Sequence, residues 1–396
     1  MVVITRKIQT RIENRLQPGK VIVISGARRT GKTVLLKEIM KNLNQDYLYL
    51  NGEDYTTALK LQNKGLDEYK NMIGANKFLV IDEAQKIASI GSILKLMIDE
   101  IEGLHIIITG SSALDISNFI GEPLTGRKYT FQLHPIAQCE LMAYENAIET
   151  ESLLENRLIF GSYPEILSIN DNQHKMDYLT ELINSYLLKD ILTLDSIKNS
   201  AKLVNILRLL AFQIGNEVSI NELAKNVGLN KATVERYLDL LTKVFVIYRI
   251  EGYSRNLRKE ISKSPRYYFW DNGIRNTLIA NFNPHELRND IGQLWENYIV
   301  SERIKLQHYQ GWPSNNYFWR TYDQQEIDWI EERDGKLFGF EMKYQKKTIK
   351  APGAWTTNYP EASFNVISRE NYLKFITEKE MPTGQNPLKT ALIKTI

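Results

Sequence analysis

The run Gly26-Ala27-Arg28-Arg29-Thr30-Gly31-Lys32-Thr33 fits the pattern G-x-x-x-x-G-K-[ST]. An apolar strand-like run, Val21–Ser25, precedes it, and a helical pattern, Val34–Asn42, follows. The spacing has a chemical reason. Glycines let backbone N–H groups turn toward phosphate oxygens with no Cβ in the way. The start of the following helix adds partial positive charge. Lys32 then reaches the β- and γ-phosphates, and Thr33 offers its hydroxyl to Mg²⁺. The eight loop residues and Val34 are the expected nucleotide contacts.

A second element matches the first. Phe78-Leu-Val-Ile-Asp82-Glu83 is an apolar strand ending in two carboxylates. Asp82 is expected to hold the Mg²⁺ shell, and Glu83 to orient and deprotonate the attacking water. A further strand ends in Thr109-Gly-Ser-Ser112. There a hydroxyl, Thr109 first, either senses the γ-phosphate or belongs to a polar strand-exit turn. Arg127, on a loop flanked by Gly121 and Gly126, is either an arginine finger or an ordinary surface arginine. The finger can act in cis or from a neighbouring copy. The sequence holds no Asn-Lys-x-Asp tetrapeptide of the kind that reads guanine, which favours ATP.

A third constellation lies near the C-terminus. Asp334-Gly335 is a two-residue hairpin signal. That turn sets Asp328 opposite Glu341, with Cβ atoms about 5 Å apart, and Glu326 opposite Lys343. Alternation puts these four on one face and Ile327, Trp329, Phe338, Phe340 and Met342 on the other. Two facing carboxylates can hold one divalent cation, and a lysine beside them can stabilise charge at a phosphorus. The competing reading is a solvated hairpin with cross-strand charge pairs.

Taken together, Gly26–Thr33, Val80-Ile-Asp82-Glu83-Ala-Gln, Thr109-Gly-Ser-Ser and Gly126-Arg127 resemble the prokaryotic AAA-like ATPases of the archaeal-ATPase type. The segments Gly161-Ser-Tyr-Pro-Glu165 and Tyr186–Leu192 resemble that group as well. The resemblance implies an α/β P-loop NTPase (AAA-like) core with a helical lid, a winged-helix module and a C-terminal restriction-endonuclease-like α/β domain. It implies ATP and Mg²⁺ as cofactors. For the last domain it implies a PD-(D/E)XK arrangement of Asp328, Glu341 and Lys343, with Glu296 as a carboxylate from the preceding helix. The proline usual before the first aspartate is absent, and Glu326-Ile327 stands there.

The elements that must carry these groups follow from periodicity. Residues 1–133 alternate short apolar runs with helical patterns, as in a parallel sheet covered on both faces. Its strands are expected at Val21–Ser25, Tyr47–Asn51, Phe78–Asp82 and Leu104–Thr109. Residues 134–200 read as mainly helical after the break at His134-Pro135, and 201–270 as three helices and two strands. Within the latter, Ser219-Ile-Asn-Glu222 is a capping-box pattern and Asn230 a cap for the helix Lys231–Lys243. That order is a winged helix. Its second helix offers Lys231, Thr233 and Arg236 to a nucleic acid, but also Glu235 and Asp239. Arg255, Arg258, Lys259, Lys263 and Arg266, interleaved with Tyr253, Tyr267 and Tyr268, suit a nucleic-acid surface better. Residues 271–396 form the nuclease-like part.

Composition bounds the rest. The 396 residues carry 50 Lys+Arg against 47 Asp+Glu, a net of +3, too even for a protein that coats nucleic acid by massed charge. A local track remains open at Lys343, Lys346, Lys347 and Lys350. The single cysteine, Cys139, excludes an intrachain disulfide framework. No apolar run approaches the roughly 20 residues of a membrane span, so a cytoplasmic protein is expected. The leading reading is an ATP-hydrolysing DNA-processing protein with a metal-dependent nuclease-like domain. The rival is a nucleotide-gated switch that binds a protein or nucleic-acid partner without cleavage. DNA and RNA are not distinguished, and a homo-oligomer with an arginine supplied in trans stays open.

Overall fold

The computed structural model describes residues 3–62, 64–111, 123–187, 200–254 and 264–378. Ser112, Gly121, Arg255, Arg258, Lys259 and Lys263 lie outside them, as does the latter part of Tyr186–Leu192.

The N-terminal part is a parallel sheet of five strands in the order β2-β3-β4-β1-β5. These are β1 Val21–Ser25, β2 Tyr47–Asn51, β3 Phe78–Asp82, β4 His105–Gly110 and β5 Lys128–Gln132. The central strands β1, β3 and β4 are almost wholly buried because helices cover both faces. Helices α1 (Ile8–Glu13) and α2 (Lys32–Leu43) cover one face. Helices α3 (Tyr55–Leu61), α4 (Leu66–Ile73) and α5 (Ile90–Glu100) cover the other. Strand β2 departs from the expected double cover: it is the sheet edge, with Tyr47 and Tyr49 exposed. Strand β5 was not expected at all. Its run Lys-Tyr-Thr-Phe-Gln alternates polar and aromatic residues, and only Phe131 is fully buried.

Helices α6 (Gln138–Leu141), α7 (Ala147–Phe160) and α8 (Asn172–Glu181) follow. Asn146 caps α7 in a reciprocal pair with Glu149. Then come α9 (Ser200–Phe212), α10 (Ile220–Val227) and α11 (Lys231–Lys243). Ser219 accepts from the Glu222 N–H at 3.3 Å and Asn230 from the Thr233 N–H at 2.8 Å, so both caps stand where the sequence places them. The divisions at 200 and 270 do not separate packing units. One core joins Ile159, Phe160 and Leu179 of the supposed lid to Leu207, Leu223, Val234 and Leu241. Helix α12 (Asn272–Leu278) adds Ile274 and Leu278 to the same core.

The two expected wing strands, β6 (Ile247–Gly252) and β7 (Arg266–Phe269), are antiparallel partners, but they are also part of the C-terminal sheet. Glu251 and Gly252 pair parallel with Tyr317 and Phe318 of β8 (Asn315–Arg320). The full order is β11-β10-β9-β8-β6-β7, with β9 Glu326–Arg333, β10 Lys336–Met342 and β11 Ser363–Ile367. A boundary at residue 270 therefore cuts a six-stranded sheet. Helix α13 (Ile291–Gln310) packs along that sheet through Trp295, Tyr298 and Ile299. Short helices α14 (Gly353–Asn358) and α15 (Tyr372–Thr377) close the far side and the end.

The hairpin register matches the sequence expectation from Lys336–Arg333 to Phe340–Trp329. Beyond that it changes. Between β8 and β9, Tyr317 pairs with Ile330 but Trp319 pairs with Ile327, so Phe318 faces both Asp328 and Trp329. This is a β-bulge, and the extra residue reverses the alternation before it. Ile327 accordingly packs with Ile330 and Trp355, not with Trp329 and Phe340 as the period-two pattern requires.

Candidate functional site

The first site is built at the C-terminal ends of β1, β3 and β4. Gly26 follows β1 directly, and a Cβ there would collide with the Leu133 carbonyl oxygen. Gly31 sits at φ 93°, in the left-handed region, and caps α2. Thr30 faces inward: it is fully buried, and its hydroxyl donates to the Ala27 carbonyl at 2.8 Å. Lys32 Nζ donates to the carbonyls of Gly26 and Ala27, each at 3.1 Å, and lies 3.8 Å from Glu83 Oε1. Arg28 and Arg29 complete the loop, Arg29 at φ 63°. Val34 is half exposed and lines the cleft beyond the loop.

Asp82 gathers three hydroxyls. Its Oδ2 accepts from Thr33 Oγ1 at 2.6 Å and from Tyr49 at 3.1 Å, and its Oδ1 accepts from Thr109. Thr109 Oγ1 in turn accepts from the Glu83 N–H at 2.9 Å. Glu83 has a left-handed backbone, φ 48° and ψ 47°, an uncommon conformation for a residue with a Cβ. Gln85 Nε2 donates to Glu83 Oε2 at 2.5 Å and to Ser111 at 3.0 Å. Sequence reasoning missed Tyr49 and Gln85. Tyr49 gave no signal, because its partner is on another strand. The Gln two places beyond Glu83 was quoted only as part of a resemblance.

A cleft of about 860 Å³ opens beside this loop, lined by Val3, Ile4, Gly31, Val34, Ile136 and Pro164 among others. Arg6 is its buried brace. The guanidinium donates to the Thr30 carbonyl (2.7 Å), the His134 carbonyl (2.7 Å), Tyr309 (2.8 Å) and Glu140 (2.9 Å).

Arg127 does not join this site within the chain. Strand β5 runs parallel to β1 with Lys128 beside Val21, so Arg127 lies at the opposite end of the sheet from the loop. Its side chain is 42% exposed and pairs with Asp99 at 2.8 Å.

The C-terminal constellation assembles around a residue expected elsewhere. Arg266, expected on a nucleic-acid surface, is buried, as are Tyr267 and Tyr268. Its guanidinium lies 3.7 Å from Glu296 Oε1, 3.8 Å from Asp328 Oδ1 and 3.1 Å from Glu326 Oε2. Glu326 thus faces Arg266, and Lys343 instead pairs with Glu341 at 2.7 Å. The Met342 N–H donates to Asp328 Oδ2 at 2.8 Å, and Tyr268 donates to Glu296 Oε1 at 2.7 Å. Burial and then the Asp328 charge push the Glu296 carboxyl up to about 8, against Arg266 and Tyr268. Burial also raises Asp328, and burial with Asp328 raises Glu341. Burial lowers the charged forms of Arg266 and Lys343, but the carboxylates around them outweigh it and both are raised. Glu341 Oε2 is buried with no hydrogen-bond partner among the described residues. Asp328 and Glu341 are the hard oxygen donors that the sequence expects at a divalent cation. Glu296 accepts from Tyr268 and faces Arg266 across 3.7 Å.

On α11 two of the three basic groups, Lys231 and Lys243, are matched on the same helix. Lys231 lies 3.7 Å from Glu235, and Lys243 lies 2.7 Å from Asp239. No helix among the described residues is long and apolar enough to cross a membrane.

Residues 18–142 match the AAA domain family, 151–285 a domain of unknown function (DUF8612), and 291–366 another (DUF4143). The second match bridges the lid and winged-helix stretches that share one core. An uncharacterized protein of Methanocaldococcus jannaschii is 28% identical over 343 residues, covering 81% of this chain and 74% of that one. An uncharacterized protein of Mycobacterium tuberculosis is 24% identical over 346 residues, covering 87% and 74%. Among solved structures, the Thermotoga maritima RuvB Holliday junction branch migration motor is 16% identical, with a TM-score of 0.27 over 58% of this chain and 82% of that one. With the loop, the paired carboxylates and the parallel sheet, the match over 18–142 makes the N-terminal part an AAA-like P-loop ATPase core.

Proposed function

We propose that this chain is an ATP-hydrolysing switch whose nucleotide state is read by a protein or nucleic-acid partner. The observation that carries the reading is the convergence of Lys32, Thr33, Asp82 and Glu83 at one sheet edge, with Thr33 on Asp82 and Lys32 near Glu83. Lys32 would leave the Gly26 and Ala27 carbonyls for the phosphates. Thr33 and Asp82, hard oxygen donors, would hold Mg²⁺, which neutralises phosphate charge when bound. Glu83 would accept the proton of the attacking water. Gln85 keeps the Glu83 carboxylate oriented meanwhile. Glu83→Gln should retain ATP binding and lower turnover at least about 100-fold, the usual worth of a general base. Undiminished hydrolysis would remove Glu83 from that role.

The buried Arg266 and the self-paired charges of α11 favour the switch over a DNA-cutting enzyme. A second reading, a Mg²⁺-dependent nuclease acting on DNA or RNA, draws support from the orphaned Glu341 Oε2 beside Asp328 and Lys343. Plasmid, linear and single-stranded DNA with Mg²⁺ or Mn²⁺ test it. Cleavage lost in Asp328→Ala would establish the nuclease, and no cleavage by either protein would leave the switch.

A further inference from the structure

We infer that Tyr49 is a positioning residue of the nucleotide site, whose hydroxyl fixes the Asp82 carboxylate and thereby sets the site's response to Mg²⁺. The inference rests on the ATPase reading above.

Two observations carry it. Tyr49 lies on the edge strand β2, paired with Val80, two residues short of Asn51, which pairs with Asp82. Its side chain must therefore lean along the strand to reach that carboxylate, and it does: the hydroxyl donates to Asp82 Oδ2 at 3.1 Å. The same oxygen takes Thr33 Oγ1 at 2.6 Å. The two hydroxyls and Thr109 on Oδ1 leave the carboxylate one orientation in which all three donors are satisfied. The second observation is cost. The ring is 38% exposed at a sheet edge, where core packing does not demand an aromatic residue.

The chemistry follows from the acceptor. A carboxylate that must face both a threonine hydroxyl and a hydrated cation gains from being held in advance, because rotation of a free carboxylate costs entropy on binding. Thr33 sits on the loop and answers to the nucleotide; Tyr49 sits on the sheet and does not. Tyr49 thus supplies the fixed part of the orientation. Among the described residues its hydroxyl bonds to Asp82, so its effect reaches the reaction through that carboxylate.

The test is Tyr49→Phe, which keeps the ring and removes the hydroxyl, with Tyr47→Phe as the neighbouring control. Two readouts are needed. The first is equilibrium binding of a fluorescent ADP, without Mg²⁺ and across a Mg²⁺ titration. The second is the Mg²⁺ dependence of ATP turnover. Tyr49→Phe should raise the half-saturating Mg²⁺ about ten-fold in both, the lower end of the worth of one hydrogen bond to a charged group. Metal-free nucleotide affinity and Tm should match wild type, and Tyr47→Phe should change nothing. An unchanged Mg²⁺ midpoint in a Tyr49→Phe protein that still hydrolyses ATP overturns the role of Tyr49 alone. Equal shifts in both variants overturn it as well, since the ring edge and not the hydroxyl would then matter. A wild-type protein that binds no nucleotide removes the ATPase reading and this inference together.

Discussion

Glu296 offers a sharp test of how the C-terminal cluster is wired. Its carboxyl is largely buried beside Asp328, which pushes it up to about 8 from its ordinary 4.5. The raised value means the folded state holds a proton that the unfolded chain releases between those limits. Stability from Glu296 is therefore complete below about pH 4.5 and is lost as pH rises through about 8. At about 1.4 kcal/mol per pH unit, the ceiling on that loss is about 5 kcal/mol. Arg266 at 3.7 Å and the Tyr268 hydroxyl can move toward a newly formed carboxylate. Such relaxation cuts the loss to about 2 kcal/mol. Glu296→Gln keeps the shape and cannot ionise, so it should flatten the pH dependence. The assay is denaturant unfolding of both proteins in EDTA from pH 5 to pH 9. The variant should gain about 2 kcal/mol on wild type between the two ends. Parallel curves would refute the burial argument. Repeating the series with Mn²⁺ separates the two functional readings: a bound cation favours ionised carboxylates and shrinks the difference.

Two further outcomes follow from the geometry. Arg127→Ala should leave ATP turnover within about two-fold, because the residue lies at the wrong end of the sheet. A loss of about 1,000-fold would instead place it at a neighbouring copy's phosphates, as for an arginine supplied in trans. Arg6→Ala should destabilise the fold by about 3 kcal/mol, since it strands a buried Glu140 and two backbone carbonyls. Arg6→Lys should not restore it, for an ammonium cannot span four partners; thermal unfolding of the two variants decides.

Local patterns were legible in the sequence, and long-range ones were not. The phosphate loop, the Asp82-Glu83 strand end and the caps at Ser219 and Asn230 are short-range devices, each readable within a few residues. The Asp334-Gly335 turn fixed the hairpin register for the same reason. The bulge at Asp328 was hidden, because it arises from pairing with β8 and not from the hairpin itself. Arg266 looked like part of a basic surface because its neighbours in sequence are basic and aromatic. Only the sheet, which brings β7 over α13, shows that its partners are carboxylates far along the chain. Strand β5 hid for a related reason: as an edge it needs few apolar residues, so its pattern is weak. Arg127 stood open between a finger and a surface arginine, since glycines flanking a loop say nothing of the end of the sheet to which the loop returns.

One helix runs between the two candidate sites. Helix α13 carries Glu296 near its start, and Glu302 in its middle accepts from the Gln138 N–H at 2.5 Å. Tyr309 at its end takes a hydrogen bond from Arg6, whose guanidinium also holds the Thr30 carbonyl of the phosphate loop. A helix of 20 residues spans about 30 Å and moves as a rod, since bending it strains many backbone hydrogen bonds together. Its buried Arg303–Glu331 pair, at 2.6 Å, fixes it to β9. A displacement of the loop at Thr30 that keeps the Arg6 contacts must then act on the far end of α13. The carboxylate cluster lies at the other end of that rod, pressed by Gly215 from the α9–α10 turn, where an added Cβ would come within 2.9 Å of Glu296. Helix and turn meet the cluster from two sides, so a shift of one against the other changes the packing around Glu296.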